Sequence, residues 1–299
     1  MKVCAIMVVR DEATLIERNI NYHLELGFDH IFILDHHSLD ETYEILNRIR
    51  IARNNRITIF REQNPIFDHE KYANQLLNHA LKEINPDWIF HLDADEFLGV
   101  GTPVHRFLSK ISALGISYAT IKWLNALHDL ENQLPLSDPL NATYFYEPWP
   151  ERNWQHEGHF RKAFCLSHDN MSVVAGGHFY RWQCNPQFFS PINNRPTELT
   201  LGDAKLYHYE TRGNVPGLIK KWRNLAFYIV EPNAPENAPW KEKITYILKL
   251  LLDYENYPEI IESMWFREPR TFWGTSIPSD RIYYDRTIYD WNLKWGTAI

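Results

Sequence analysis

Cysteine is scarce in this 299-residue chain, which carries Cys4, Cys165 and Cys184 and no others. Thiols so scattered give neither a disulfide framework nor the spacing of a zinc site, and they fit a reducing compartment. Long apolar runs are missing too. Charged Arg10, Asp11 and Glu12 cut the N-terminal apolar run too short for a signal peptide, and no window approaches the roughly 18 apolar residues of a membrane span. A cytoplasmic location with no transmembrane segment is the resulting expectation. There is no basic tail or arm, and the net charge of -7 with a pI near 6.1 argues against a nucleic-acid partner. Glycine signatures of nucleotide binding are absent as well: no G-x-G-x-x-G follows the first apolar run, and no G-x-x-x-x-G-K-[ST] occurs anywhere. Internal repeats, low-complexity tracts and linker-like stretches are likewise not found.

What is present is an ordinary globular composition, 44% hydrophobic, in a chain long enough for one large domain or two smaller ones. The Val- and Ile-rich run Val3–Val9 reads as a strand buried on both faces. Residues 13–26 approximate a helical stripe stopped by Gly27, and residues 30–34 form a second short strand ending at Asp35. Ser38 with Glu41 three residues on reads as a capping box for the next helix. Residues 57–60 give a third strand and residues 71–84 a third helix. A fourth strand then runs into Asp93, Asp95 and Glu96.

This strand–helix alternation with short connections is the pattern of an open parallel sheet, in which ligands bind beyond the carboxyl ends of the strands. Residues 10–12, Asp35 and residues 93–95 all fall at such ends, so three polar clusters converge on one crevice. If the extended run continues to residue 95, Asp93 and Asp95 share a side of the strand, and two hard oxygen donors there suit Mg2+ or Mn2+. A solvated acidic turn after a buried strand is the plain alternative.

Beyond residue 100, Thr102-Pro103 reads as an N-cap and first helical position, with a helix to Leu114 before Gly115. Residues 118–123 read as a strand. Ten of the eleven tryptophans follow residue 120, and segments 125–160 and 185–200 are rich in Asn, Pro and aromatics without periodicity, as loops shaping a cleft are. Residues 161–166, 173–182 and 199–209 read as strands, 216–230 and 241–252 as helices.

With these elements placed, the first hundred or so residues resemble the family 2-like glycosyltransferases of GT-A fold, in the subgroup opening with Lys-Asn-Glu after strand one. The matching elements are Arg10-Asp11-Glu12, Gly27-Phe28-Asp29-His30, Asp35, Ser38-Leu39-Asp40-Glu41-Thr42 and Asp93-Ala94-Asp95-Glu96-Phe97. His36-His37 depart from the Asn often found after Asp35. The later match is patchy, through Gly176-Gly177-His178 and His208-Tyr209.

The resemblance implies a GT-A-like, Rossmann-type, mainly parallel sheet flanked by helices, with an aromatic-rich acceptor half and C-terminal helices. It places a catalytic domain at 1–210, whose nucleotide-binding half is 1–100 and acceptor-binding half 101–210, and a helical extension at 211–299. It implies sugar transfer from a nucleoside-diphosphate sugar, UDP-linked by preference, to a hydroxyl acceptor such as a glycan, with Mn2+ or Mg2+ and inversion. Asp95 is then a metal ligand and catalytic group, and Asp93 reaches metal or ribose. His208 is the third metal ligand, with His178 second in line. Asp35 accepts from base or ribose, while Arg10, Glu12, Asn74 and Lys220, with Lys221 and Arg223, flank the nucleotide. An inverting reaction also needs a carboxylate base. Glu157 is preferred over Glu151 and Asp169, with Trp149 and Trp154 as sugar platforms. Bland roles compete for each: an ion pair for Arg10 and Glu12, a helix cap for Asp35, a solvated helix face for Asn74 and Lys220, core packing for His208 and the tryptophans. Competing functions are a non-catalytic nucleotide-sugar or glycan-binding protein of the same fold and a metal-dependent phosphatase using Asp-x-Asp. The phosphatase motif normally continues to Thr or Val where this chain has Phe97.

Overall fold

The computed structural model describes residues 1–64, 68–132, 136–148, 161–167, 171–174, 179–182, 196–210, 217, 219–220, 249 and 277–296. In chain order, the first elements are β1 (Val3–Val9), α1 (Ile16–Leu26), β2 (His30–His36), α2 (Thr42–Ala52), β3 (Ile57–Glu62), α3 (His69–Glu83) and β4 (Trp88–His91). There follow β5 (Glu96–Gly99), α4 (Val104–Ala113), β6 (Tyr118–Ala126), β7 (Tyr144–Tyr146), β8 (Arg161–Leu166), β9 (Met171–Val174) and β10 (Phe179–Trp182). The chain closes with β11 (Thr197–Glu198), β12 (Lys205–His208), β13 (Ile282–Tyr284) and α5 (Thr287–Gly296). Its contacts divide it into two compact units, Met1–Trp123 with Trp149–Leu206 and Leu124–Pro148 with Tyr207–Ile299.

The first unit is a mixed α/β structure with a central sheet flanked by helices, in strand order β6-β8-β4-β1-β2-β3. The four strands β4, β1, β2 and β3 are parallel, as the alternating pattern predicts, whereas β8 runs antiparallel to both β4 and β6. Every residue of β1 is buried, and its side chains divide strictly by parity. Val3, Ala5, Met7 and Val9 pack with α1, α2 and α4 on one face, while Cys4, Ile6 and Val8 pack with α3 on the other. That explains the unbroken apolar run: both faces of the strand meet helices. Phe90 and Phe164 stack at 4.6 Å and fix β8 against β4. Gly27 ends α1 in the left-handed region, φ 110°, with its N–H donating to the His23 carbonyl. A Cβ there would come within 3.3 Å of His105.

Several local expectations are corrected. Ser38 and Glu41 make no capping box; Glu41 precedes α2 without a side-chain cap, because the Ser38 hydroxyl is taken by the Asp11 N–H at 2.9 Å. Thr102 does not cap α4, whose N-cap is Pro103. Asp68 caps α3 instead, accepting from the Lys71 N–H at 3.0 Å, and moves its start to His69. Residues 173–182 are not one strand: β9 and β10 are antiparallel partners, Phe179 opposite Val174. Of 199–209, residues 205–208 are strand, since Asp203 closes a turn on Thr200.

In the second unit the end of β6 pairs antiparallel with β7, which pairs with β13. Phe145 packs on Tyr207 and Tyr209 with ring centroids 5.0 and 6.1 Å away. Of the two helices expected at 216–230 and 241–252, Gly217, Ile219, Lys220 and Lys249 are helical and the rest lies outside the described residues. Among the described residues no helix is long and apolar enough to cross a membrane.

Candidate functional site

The carboxyl ends of β1, β2 and β4 lie side by side, because β1 pairs with β4 on one edge and β2 on the other, Val9 standing opposite Asp35. The loops that leave these strands are stitched to one another. The Glu12 N–H donates to Thr42 Oγ1 at 2.7 Å, the Ala13 N–H to Asp40 Oδ2 at 3.0 Å, and the Leu39 N–H to Asp11 Oδ1 at 2.7 Å. Asp11 adopts a left-handed φ of 53° to make this exchange. The Ser-Leu-Asp-Glu-Thr element thus acts as a clamp on the loop after β1. Arg10 and Glu12 sit half-buried within it.

Asp35 ends up fully buried on β2. Neither carboxylate oxygen has a hydrogen-bond partner among the described residues, and the nearest cation is Arg61 Nε at 3.4 Å. Burial pushes its pKa up, against the opposing pull of Ser38 and Arg61. A buried carboxylate so poorly paired costs stability unless a ligand completes it.

The acidic cluster is a turn, not the continued strand. β4 stops at His91, and residues 92–95 loop over to β5. The Asp93 N–H donates to Glu96 Oε2 at 2.8 Å and the Glu96 N–H to the Asp93 carbonyl at 3.1 Å, which closes the turn. Asn19 ties it to α1 by donating to the Glu96 carbonyl at 2.7 Å. Asp93 and Asp95 therefore do not share a strand face. Both are half-buried, whereas Glu96 points into the protein and is fully buried.

Sequence reading missed Lys162. Its ammonium, on a side chain 3% exposed, lies 2.8 Å from Asp93 Oδ2, 3.6 Å from Glu96 Oε2 and 3.4 Å from His91 Nδ1. Burial alone would raise Asp93, yet Lys162, then His91 and His69, hold it below the usual carboxylate range. Burial drives the pKa of Glu96 well up, against the opposing pull of Lys162, while Asp93 and Glu96 raise that of Lys162 against its own burial. The signal was a charged residue at the head of the apolar run Ala163-Phe164-Cys165-Leu166, which a buried strand tolerates only with a partner. His69 opens α3 and meets His91 edge-on, centroids 5.0 Å apart. His69, His91 and Asp93 each offer a ligand atom, all within 4.8 Å of one another. That spacing suits a cation, but Lys162 already touches two of the three. Asp93 so paired does not fit a divalent ion, which would have to displace the ammonium.

Other expected site residues have local partners of their own. Asn74 is spent on structure: its amide protons go to the Glu70 and Val173 carbonyls at 2.7 and 2.9 Å, and its oxygen accepts from the Val173 N–H at 2.8 Å. His208 belongs to the second unit, where Nδ1 lies 2.9 Å from Asn125 Oδ1 in a hydrogen bond. Asn125 in turn donates to Tyr146 Oη at 3.0 Å and Glu210 Oε2 at 3.3 Å. Lys220 is a half-buried helical residue of the same unit. Glu157, Glu151, Asp169, His178, Trp149, Trp154, Lys221 and Arg223 lie outside the described residues.

Fold and site together define an α/β protein with a polar crevice at the carboxyl ends of its parallel strands. Protein-family models and curated proteins give no match to the chain. Solved structures do. S. aureus TarS 1-349 in complex with UDP-GlcNAc aligns over 52% of this chain and 39% of its own at 13% identity and TM-score 0.34. Mannosyltransferase PcManGT from Pyrobaculum calidifontis, in complex with GDP-Man and Mn2+, aligns over 87% and 71% at 14% identity and TM-score 0.43. Glucosyl-3-phosphoglycerate synthase from Mycobacterium tuberculosis, with Mn2+, UDP and glucosyl-3-phosphoglycerate, aligns over 42% and 44% at 21% identity and TM-score 0.27. The chain thus spans less than half the length of the first and third of these. Likenesses with TM-scores this low assign no role to any residue of the chain.

Proposed function

We propose that the chain is a glycosyltransferase of GT-A type that moves a sugar from a nucleoside-diphosphate sugar, UDP-linked by preference, to a hydroxyl acceptor such as a glycan, with inversion. The observation that carries this reading is Asp35, a fully buried carboxylate without a hydrogen bond among the described residues, one strand removed from the Asp93–Asp95 turn. A nucleoside supplies what that carboxylate lacks, base N–H or ribose O–H donors. The same crevice offers Arg10 and Glu12 on the intervening strand end, held in register by the Ser38–Thr42 clamp.

In this reading Asp35 orients the nucleoside and Asp93, kept ionised by Lys162, accepts a donor hydroxyl. Mn2+ or Mg2+ would accompany the donor's diphosphate at Asp95, not Asp93, and would stabilise the leaving group's charge. The general base is assigned to Glu157 on the sequence pattern alone. The extension at 211–299, Lys220 included, and a cytoplasmic site of action belong to the same proposal.

Release of UDP or GDP from a panel of nucleotide sugars, with simple sugars and alcohols as acceptors, tests the reading. Acceptor-dependent release of one nucleoside diphosphate supports it. Binding of a nucleotide sugar with no release under any acceptor would leave a binding protein of this fold, and absence of both would remove the nucleotide assignment.

A further inference from the structure

The positive charge beside Asp93 is built in. Lys162 is delivered by β8, an antiparallel strand in which Phe164, two residues along from the lysine, stands opposite Phe90 of β4. Carried two residues further, that register sets Lys162 beside the start of the acidic turn. The apolar neighbours Ala163, Phe164 and Cys165 are fully buried, and the stack of Phe164 on Phe90 fixes the strand that carries the lysine. The ammonium then reaches Asp93, His91 and Glu96 at 2.8, 3.4 and 3.6 Å. Two of these, His91 and Asp93, are also two corners of the His69–His91–Asp93 grouping.

Two imidazoles and a carboxylate at such spacing are a donor set for Zn2+, Co2+ or a similar ion, since imidazole suits transition metals better than it suits Mg2+. A metal ion bonded to Asp93 would share that carboxylate with the ammonium 2.8 Å from Oδ2, and two cations on one carboxylate in a mostly buried site repel strongly. Only one of them can be there. Removing the ammonium would in turn leave an ionised carboxylate short of its counter-charge, which is the condition under which a metal ligand binds best.

We infer that Lys162 is the resident cation of this site: it occupies the place a transition-metal ion would take among His69, His91 and Asp93, and so bars such ions from the cluster. The consequence is selectivity. A crevice lined by two histidines and a carboxylate would otherwise trap zinc, and the lysine keeps Asp93 available as a fixed, ionised acceptor. Naming this a donor site rests on the proposed transferase function; the exclusion of metal does not, and it is read without any nucleotide.

The experiment is a calorimetric titration with Zn2+, and with Co2+ followed by its visible absorption, on four full-length proteins: wild type, Asp93→Asn, Lys162→Met and Lys162→Met/Asp93→Asn. In the wild-type background Asp93→Asn leaves metal affinity unchanged within twofold. In the Lys162→Met background affinity rises at least tenfold over wild type, with nitrogen ligation in the Co2+ spectrum, and Asp93→Asn removes that gain. Lys162→Met/Glu96→Gln, which drops a second buried ionisable group, serves if Lys162→Met does not fold by circular dichroism, and shows the same gain. A fall in wild-type Zn2+ affinity caused by Asp93→Asn would overturn the inference without recourse to any lysine variant. So would equal affinities in the wild type and a folded lysine variant. Should UDP and GDP fail to bind while the tenfold gain appears, the transferase reading falls and the resident cation stands.

Discussion

Two carboxylates at the ends of the strands that flank β1 are handled in opposite ways. Asp35 on β2 is fully buried, lacks a hydrogen bond among the described residues and has its pKa pushed up. Asp93 after β4 keeps about a third of its side chain exposed, holds a lysine ammonium at 2.8 Å and has its pKa pulled down. Asp93 is completed by a hydrogen-bonded ammonium, whereas Asp35 has the longer contact to Arg61 and no hydrogen bond among the described residues. The contrast separates a carboxylate whose charge the fold supports from one whose charge awaits a ligand.

The largest expected effect breaks the supported side. Asp93→Asn strands a buried ammonium and lowers stability by about 3 kcal/mol, the low end for orphaning a buried ion because Glu96 lies near enough to take it over. Chemical denaturation checks this, and a loss under about 1 kcal/mol would mean that Lys162 is not paired as described.

Next comes a buried group that must stay neutral. His23 is fully buried, its Nδ1 hydrogen-bonded to the Asn19 carbonyl at 2.9 Å, and burial lowers its pKa to about 4. The unfolded chain binds a proton near pH 6.5 that the folded one refuses until about pH 4. Stability is therefore retained above pH 6.5 and falls as pH drops toward 4, by about 3 kcal/mol in all. Comparing denaturation at several pH values with His23→Gln, which has no ionisable ring, should show that slope in the wild type and not in the variant.

The mirror image of the first test is smaller and opposite in sign. Burial raises the folded pKa of Asp35, so the ionised carboxylate costs stability at neutral pH, and the cost shrinks as pH falls through the raised value. Asp35→Asn should accordingly stabilise the protein by about 1 kcal/mol, a rise of a few degrees in Tm by calorimetry. A destabilised Asp35→Asn would erase the distinction between the two sites. Smallest in stability is Asp95→Ala, within about 0.5 kcal/mol, because its half-buried side chain belongs to a cluster of like charges; the same variant should lose the Mn2+-dependent part of nucleotide binding.

The parallel half of the sheet was legible in the sequence because local patterns specify it. A doubly buried strand such as β1 writes a continuous apolar run, and α3 writes a helical stripe, so β1 to β4 and their order of polar ends could be read directly. Long-range pairing leaves no such trace. Lys162 meets Asp93 across 69 residues, and Asn74 meets Val173 across 99, so neither partner could be named from spacing. Ser38 and Asn74 misled for one reason: each has the chemistry expected of a cap or a ligand contact, but a backbone group distant in sequence claims it first. The two compact units interleave along the chain, residues 124–148 falling with residues 207–299.

The central claim is that Asp35 contacts a nucleotide, and calorimetric titration of UDP and GDP into wild type and Asp35→Asn, with Mn2+ and then with EDTA, tests it most directly. One nucleotide should bind the wild type, and Asp35→Asn should weaken it at least tenfold while melting no lower. Equal binding to both proteins, or no binding of either nucleotide to the wild type, would contradict the claim.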